Sequence, residues 1–273
     1  MTLADIGPVV LVGAGKMGLA LARSWIAAGL PPKELVLVDP SPSEAARGLA
    51  DEKGIRLVGN ASGVLVSVLV LAVKPQVIGE VMAGLKPSVG KQTLVVSIAA
   101  GISIAAIAAA LGTGRVVRTM PNTPAQIGRG ISGAVAGPEA NARDREVADA
   151  LLKAAGEVVW LDKEADIDVV TAVSGSGPAY LFNFVEALAS AATQQGFDEA
   201  RAMQLARATV IGAAALMEAD PTPVATLRQN VTSPKGTTEA ALNVLMAPNG
   251  LKTLVERAVL AARLRSEELG RAK

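Results

Sequence analysis

The chain contains no cysteine and no histidine. These two absences exclude a disulfide framework, a thiolate nucleophile, Cys/His zinc sites and any triad that uses imidazole as its base. A metal would have to sit on carboxylates, hydroxyls or carbonyls. Aromatic residues are only 2% against 51% hydrophobic overall, so the core must be aliphatic, built from Ala, Val, Leu and Ile. An excess of charge of one sign is also missing: 26 Lys and Arg face 25 acids, a net +1. There is no electrostatic case for nucleic acid or an anionic membrane. The first residues, Met1 to Pro8, carry Asp5 and no basic stretch, and the apolar run Val9–Val12 is short. A signal peptide is not expected, and a cytoplasmic location is the default. The uncharged stretch between Lys91 and Arg115 is long enough to raise a membrane span. It divides instead into a strand at Thr93–Ile98 and an Ala-rich helix at Ile104–Leu111, with Ser103 as N-cap.

What is present is alternation. At roughly 150 residues per domain, the 273 residues suggest one large domain or two modest ones. Strand-like runs at Val9–Val12, Glu34–Val38, Ile55–Val58, Val64–Val73, Thr93–Ile98, Arg115–Thr119, Ser132–Ala136 and Val158–Leu161 are interleaved with helical runs. These helical runs are Lys16–Ala28, Ser43–Lys53, Gln76–Leu85, Ile104–Leu111 and Asn141–Ala155. Val64–Val73 is almost wholly apolar, as a strand buried on both faces would be. The order argues for an α/β fold with a doubly wound parallel sheet. After Trp160 the strand-like runs stop. Leu181, Phe184, Val185, Leu188, Ala191 and Ala192 recur at helical spacing and Gly196 ends them. Asp198 caps a second helix to Met217, Asp220-Pro-Thr-Pro223 breaks the chain, and a short helix passes through Leu227. Two more helices follow with a break at Pro248-Asn-Gly250. The expected domains are 1–162 and an all-helical 163–273.

Gly13-Ala-Gly-Lys-Met-Gly18 is a G-x-G-x-x-G that follows a strand and opens a helix. Gly13 permits the tight turn, Gly15 lets a pyrophosphate approach the backbone, and Gly18 lets helix and strand pack closely. The helix start, Lys16 and Met17 included, offers N–H donors and a positive dipole end. This predicts a dinucleotide, NADPH or NADH, and no metal. Asp39 ends the second strand, where an acid accepts from the ribose 2′-hydroxyl of NAD. Ser41 and Ser43 follow, and hydroxyls there serve a 2′-phosphate, while Asp before Pro is also a turn residue. The choice is open. Ala72, Val73, Lys74 and Pro75 close the fourth strand, Ala99 and Ala100 follow the fifth, and Asn122 follows the sixth. All stand where ligands of parallel sheets bind. Asn60, after the third strand, is placed at the adenosine side. Lys74 reads better as a phosphate-side or exposed lysine than as a base.

The chain resembles pyrroline-5-carboxylate reductases nearly end to end. The resemblance is carried by Val9–Gly18, Leu71-Ala-Val-Lys-Pro75, Val95-Val-Ser-Ile-Ala-Ala-Gly101 and Arg118-Thr-Met-Pro-Asn-Thr-Pro124. Ser174-Gly-Ser-Gly-Pro-Ala-Tyr180 and Val231-Thr-Ser-Pro-Lys-Gly-Thr-Thr238 are its most specific motifs. It implies an N-terminal Rossmann-like domain and a helical C-terminal domain that dimerises, with dimers assembling into larger rings, commonly decamers. It also implies hydride transfer from NADPH or NADH to the C=N carbon of 1-pyrroline-5-carboxylate, giving L-proline in the last step of proline biosynthesis. Thr238 matches the hydroxyl beside the ring nitrogen, as donor or relay rather than tuned acid. Ser233, Gly236 and Thr237 match a cradle for the substrate carboxylate, Asn230 a position near the cofactor and Glu164 one near the substrate. The plainer alternatives are that Thr237 or Thr238 only caps a helix beginning near Glu239, and that Glu164 is solvated surface between Asp162 and Asp168. Ser174–Pro178 is expected to open the first long C-terminal helix. The family usually has Ser-Pro-Gly-Gly where this chain has Ser233-Pro-Lys-Gly236. Lys235 is therefore either strained, if the backbone there needs a positive φ, or a cation near an anionic substrate.

Four other functions compete. A β-hydroxyacid dehydrogenase of similar layout would carry a catalytic lysine after the Gly-Ser-Gly, but no lysine follows until Lys235. Reduction of a related cyclic imine remains open, since a few pocket contacts decide ring size. A dinucleotide sensor, or a structural helical dimer, would not need the Ser233–Thr238 group.

Overall fold

A computed structural model describes residues 1–271. It divides into two compact units. The first runs from Met1 to Ser176 and takes back the end of the chain from Ala262 onward; the second is Gly177–Ala261.

The first unit is built on one eight-stranded sheet. In chain order its elements are β1 (Val9–Val12), α1 (Lys16–Ala27), β2 (Leu35–Val38), α2 (Glu44–Lys53), β3 (Arg56–Val58) and β4 (Val68–Leu71). Then come α3 (Ile78–Leu85), β5 (Leu94–Ser97), α4 (Ile104–Leu111), β6 (Val116–Met120), β7 (Gly130–Ala136), α5 (Ala142–Lys153), β8 (Gly156–Trp160) and the short α6 (Asp166–Val170). The spatial order is β3-β2-β1-β4-β5-β6-β7-β8. β1, β2, β4 and β5 are four-residue strands buried on both faces and apolar but for Ser97, which is why they read as near-continuous Val/Leu runs.

β1 to β6 are parallel, but β7 runs antiparallel to β6, and β8 follows β7 in the reversed direction. The sheet is thus doubly wound over six strands and mixed beyond them. The reason lies in the link from β6 to β7. Pro121–Arg129 holds only a short 3₁₀ stretch, Thr123–Ile127. A parallel return needs a crossover of a dozen or more residues. The strand expected over Val64–Val73 shrinks to β4. Its neighbour β1 begins only at Val9, in register with Val68, so Val64–Ser67 has no ladder to join. Val64 and Val66 bury their side chains all the same.

Helix boundaries follow side-chain chemistry. Ser43 caps α2 through Ala46 N–H and Ser103 caps α4 through Ala106 N–H. Asn141 and Asp144 form a reciprocal capping box at α5. Trp25, fully buried on α1, donates its indole N–H to Leu151 O at 2.8 Å, which locks α1 to α5. At the opposite edge from the glycine loop, Arg115 grips the buried Asp144 through two guanidinium nitrogens and also donates to Gln92 O. The Asp144 carboxylate holds the guanidinium more firmly protonated than a free arginine.

The second unit is helical: α7 (Gly177–Gln194), α8 (Glu199–Ala219), α9 (Val224–Asn230), α10 (Thr237–Leu245) and the first part of α11 (Leu251–Arg271). Asp198 caps α8 through Arg201 N–H. α7 and α8 pack through a small cluster centred on Ala189, Ala202 and Ala206. Outside it, large apolar side chains such as Leu181, Phe182, Ile211, Leu216 and Leu260 lie exposed. No helix among the described residues is long and apolar enough to cross a membrane.

Asp144→Ala should lower the stability of the first unit by about 1–3 kcal/mol, because it removes the capping box and the buried acceptor of Arg115 together, while Arg115 keeps Gln92 and access to water. A urea unfolding midpoint that moves by less than 1 kcal/mol equivalent would contradict this.

Candidate active site

The parallel register brings the carboxyl ends of β1, β2, β4 and β5 to one edge: Val12 pairs with Val38 and with Leu71, and Leu71 with Ser97. β1 and β4 flank the point where the strand order reverses, and ligands of such sheets bind there. The edge holds a cavity of ≈570 Å³. Gly13, Gly15, Asp39, Asn60, Ala72, Val73 and Lys74, all expected in the site, line it. Lys16, Met17, Gly18, Ser41, Pro75, Ala99, Ala100 and Asn122 do not line it.

The glycine loop fits a dinucleotide for steric reasons. Gly13 has φ +97°, and a Cβ there would stand 2.7 Å from Ala72 O. A Cβ on Gly18 would stand 2.2 Å from Gly13 O, so α1 can approach β1 only without one. A Cβ on Gly15 would meet nothing, so the backbone there faces open space, as contact with a pyrophosphate requires. Gly15 is also the N-cap of α1, with no side chain covering the first amides. Lys16 and Met17 form the first turn; Met17 packs back on the core.

Asp39 is engaged on both carboxylate oxygens. One carboxylate oxygen accepts from Ala14 N–H at 3.0 Å and the other from Ser41 N–H at 2.9 Å. The side chain therefore ties the glycine loop to the end of β2 and shapes its own turn. Asn60 makes a similar local turn, accepting from Ser62 N–H. Reading the sequence missed the far wall, which is α3 and its N-cap: Val77, Glu80, Val81 and Gly84 line the cavity. Their spacing of three and four along a helix that follows β4 was the signal available.

Asn122 is nearly buried and committed: it accepts from Ile131 N–H at 3.0 Å and donates to Ser174 O at 3.2 Å. Ser174 lies in a π-helical turn, Thr171–Gly175, directly after α6. Helical structure already begins at Asp166 in the short α6, and the first long helix, α7, opens at Gly177, within the Ser174–Pro178 stretch expected to open it. Such turns recur at functional sites. Glu164 is not a free surface acid. Its Oε1 accepts from Ile104 N–H, the first amide of α4, and from Arg118 Nη1, both at 2.8 Å.

In the second unit, α10 starts at Thr237, so both threonines lie inside the helix and Gly236 is the N-cap. The expectation that either threonine caps a helix near Glu239 is corrected accordingly. Gly236 N–H is already donated to Ser233 O at 3.0 Å. The amides of Thr237 and Thr238 are then first-turn donors of the kind that lack intrahelical acceptors. Lys235 has φ 59°, alone among non-glycine residues described. Of the two readings of Lys235, strain is the one the backbone carries. Its N–H is held by Glu239 Oε2 at 2.7 Å, which fixes the turn despite the side chain. Asn230 is the last residue of α9.

A model of pyrroline-5-carboxylate reductase dimerisation matches residues 164–269, and one of NADP oxidoreductase, coenzyme F420-dependent, matches 8–101. A pyrroline-5-carboxylate reductase of Pseudomonas aeruginosa is 44% identical over 96% of each chain. The chain belongs to the pyrroline-5-carboxylate reductase family. Among solved structures, the Coxiella burnetii reductase superposes with TM-score 0.89 at 36% identity, over 97% of this chain and 99% of that one. The Plasmodium falciparum pyrroline carboxylate reductase, solved with NADP bound, gives 0.82 at 28% identity over 97% and 98%. Family membership accounts for the helical unit with exposed apolar faces as a dimerisation domain.

Lys235→Gly should stabilise the chain by about 1 kcal/mol, since glycine removes the left-handed penalty at a small entropic cost. Thermal unfolding would check it, and a loss of stability would show that the lysine side chain makes a compensating contact.

Proposed function

We propose that the protein reduces 1-pyrroline-5-carboxylate to L-proline with NAD(P)H, as a cytoplasmic homodimer that builds a larger ring such as a decamer. The observation that supports this best is the pairing, in one chain, of a glycine loop open to a pyrophosphate with the Ser233–Thr238 turn at the start of α10. Bound NAD(P)H supplies the hydride. The chain's own residues bind, orient and polarise. Gly13, Gly15 and the α1 amides hold the pyrophosphate. Lys74 offers a cation at the end of β4, and Ala72 and Val73 offer apolar wall. Ala99 and Ala100 follow β5 at the same edge, where nicotinamide-side contacts belong. The amides of Thr237 and Thr238, with the Ser233 hydroxyl, suit the substrate carboxylate, at the positive end of α10. Gly236 contributes shape rather than its amide. The Thr238 hydroxyl stands as donor or relay to the ring nitrogen, which must be protonated or hydrogen-bonded for its carbon to accept hydride. No metal is called for, because the iminium itself is the electrophile.

Between the two cofactors we favour NADH. Asp39 and Glu80 are acids in the cavity wall and Lys74 a lysine there, while no arginine among the described residues lines it. A 2′-phosphate at the end of β2 would face the Asp39 carboxylate, whereas a ribose diol can donate to it.

Purified protein should oxidise NADH or NADPH when offered 1-pyrroline-5-carboxylate, and more slowly with the six-membered imine; no oxidation with either imine would overturn the reading. Thr238→Ala should lower kcat by about 10²-fold, within the range of a lost proton donor, with little change in cofactor Kd. Equal losses in both would make Thr238 structural. Asp39→Ser should move the NADPH/NADH ratio of kcat/KM upward by about tenfold, which is the effect of ~1.4 kcal/mol; an unchanged ratio would leave Asp39 only its loop-holding role.

A further inference from the structure

Arg118 stands in the middle of β6 and is 7% exposed. By strand alternation it shares a face with Val116 and Met120, in the apolar layer that includes Ile104, Val135 and Ile167. A guanidinium in such a layer must have a charge partner. Its partner is Glu164, reached through Nη1, while its Nε–H is buried with nothing among the described residues to accept it. The side chain is therefore not placed to satisfy itself. It is placed to reach Glu164.

Glu164 in turn uses the same oxygen, Oε1, on the amide of Ile104. Ile104 is the first residue of α4, and the five residues before it, Ala99 to Ser103, form the turn that leaves β5 at the ligand-binding edge. The backbone of Leu269 and Gly270 lies against Gly101 on that turn, and Ser266 binds Asp168 at 2.6 Å beside them. The turn is thus held at its helix end by an ion pair and backed at Gly101 by the chain's last helix.

We propose that Arg118 is a positioning residue for the reduction. Through Glu164 it fixes the first amide of α4, and so the Ala99–Gly101 backbone against which the nicotinamide half of the dinucleotide would rest. The proposal rests on the reading above that the edge of the sheet binds NAD(P)H. It separates Arg118 from the residues of the glycine loop, which hold the other half of the same molecule. Losing Arg118 should disturb where the reactive ring sits and leave the strength of dinucleotide binding nearly intact.

The test compares full-length wild type, Arg118→Met and Arg118→Lys, with Glu164→Gln as the reciprocal variant should Arg118→Met fail to fold. Three quantities are measured: Kd for NADH and NADPH, the emission of the bound reduced nicotinamide at saturation, and kcat with 1-pyrroline-5-carboxylate. Arg118→Met is expected to keep Kd within about twofold, to change the bound-nicotinamide emission and to lower kcat about tenfold or more. Arg118→Lys, which keeps the charge, should recover most of both. Glu164→Gln should follow Arg118→Met. The proposal is overturned if emission and kcat match wild type in Arg118→Met, if dinucleotide affinity and kcat are lost together, or if lysine rescues nothing. A wild type that binds dinucleotide but does not reduce the imine sinks the substrate reading instead, and the emission comparison still decides the role of Arg118.

Discussion

The in-register parallel pairing of β1, β2, β4 and β5 is the constraint on which the first unit depends. Four residues per strand are enough because every one is buried and all but Ser97 are apolar, at about 1.5–3 kcal/mol for each large side chain removed from water. The register aligns the strand ends, and the strand ends aim four loops at one edge. The glycine loop, the Asp39 turn, Ala72–Pro75 and Ser97–Gly101 are neighbours for that reason alone. Short strands leave little tolerance: a one-residue slip would move every side chain to the other face.

Polar groups at this edge are arranged by the backbone as much as by any ligand. Asp39 serves Ala14 and Ser41, Asn60 serves Ser62, Asn122 serves Ile131 and Ser174, and Glu164 serves Ile104. Each carboxylate or amide fixes a loop that a bare chain would leave loose. The cost appears where charge is buried. The orphaned Nε–H of Arg118 forfeits about 1–3 kcal/mol, which a hydrophobic residue at the same position would not. A largely aliphatic interior without histidine, Trp25 apart, leaves few alternatives for joining strands and loops by polar contacts.

Most of the secondary structure was legible, because period, caps and breakers agree. Ser43, Ser103 and Asp198 start helices where they were expected to, and the glycine motif lies between β1 and α1. Family motifs then supplied the substrate. What the sequence did not disclose depends on partners distant along the chain. Whether Val64–Ser67 joins a sheet depends on where β1 starts. The direction of β7 depends on the length of a link rather than on its own residues. Glu164 looked like one acid in a charged run because Arg118 and Ile104, 46 and 60 residues away, are invisible to local pattern. The Gly236 amide looked available until the turn closed on Ser233. Lys235 could be narrowed to two explanations, and only a φ angle chooses between them.

The double duty of Asp39 has an evolutionary consequence. On the proposed reading, a residue that both faces the ribose and staples Ala14 N–H cannot be exchanged for cofactor choice alone. Any lineage that moves between the two dinucleotides through this position loosens its phosphate loop at the same step. Such a lineage would have to acquire a second acceptor for Ala14 before or together with the exchange, so the two changes are expected to travel as a pair.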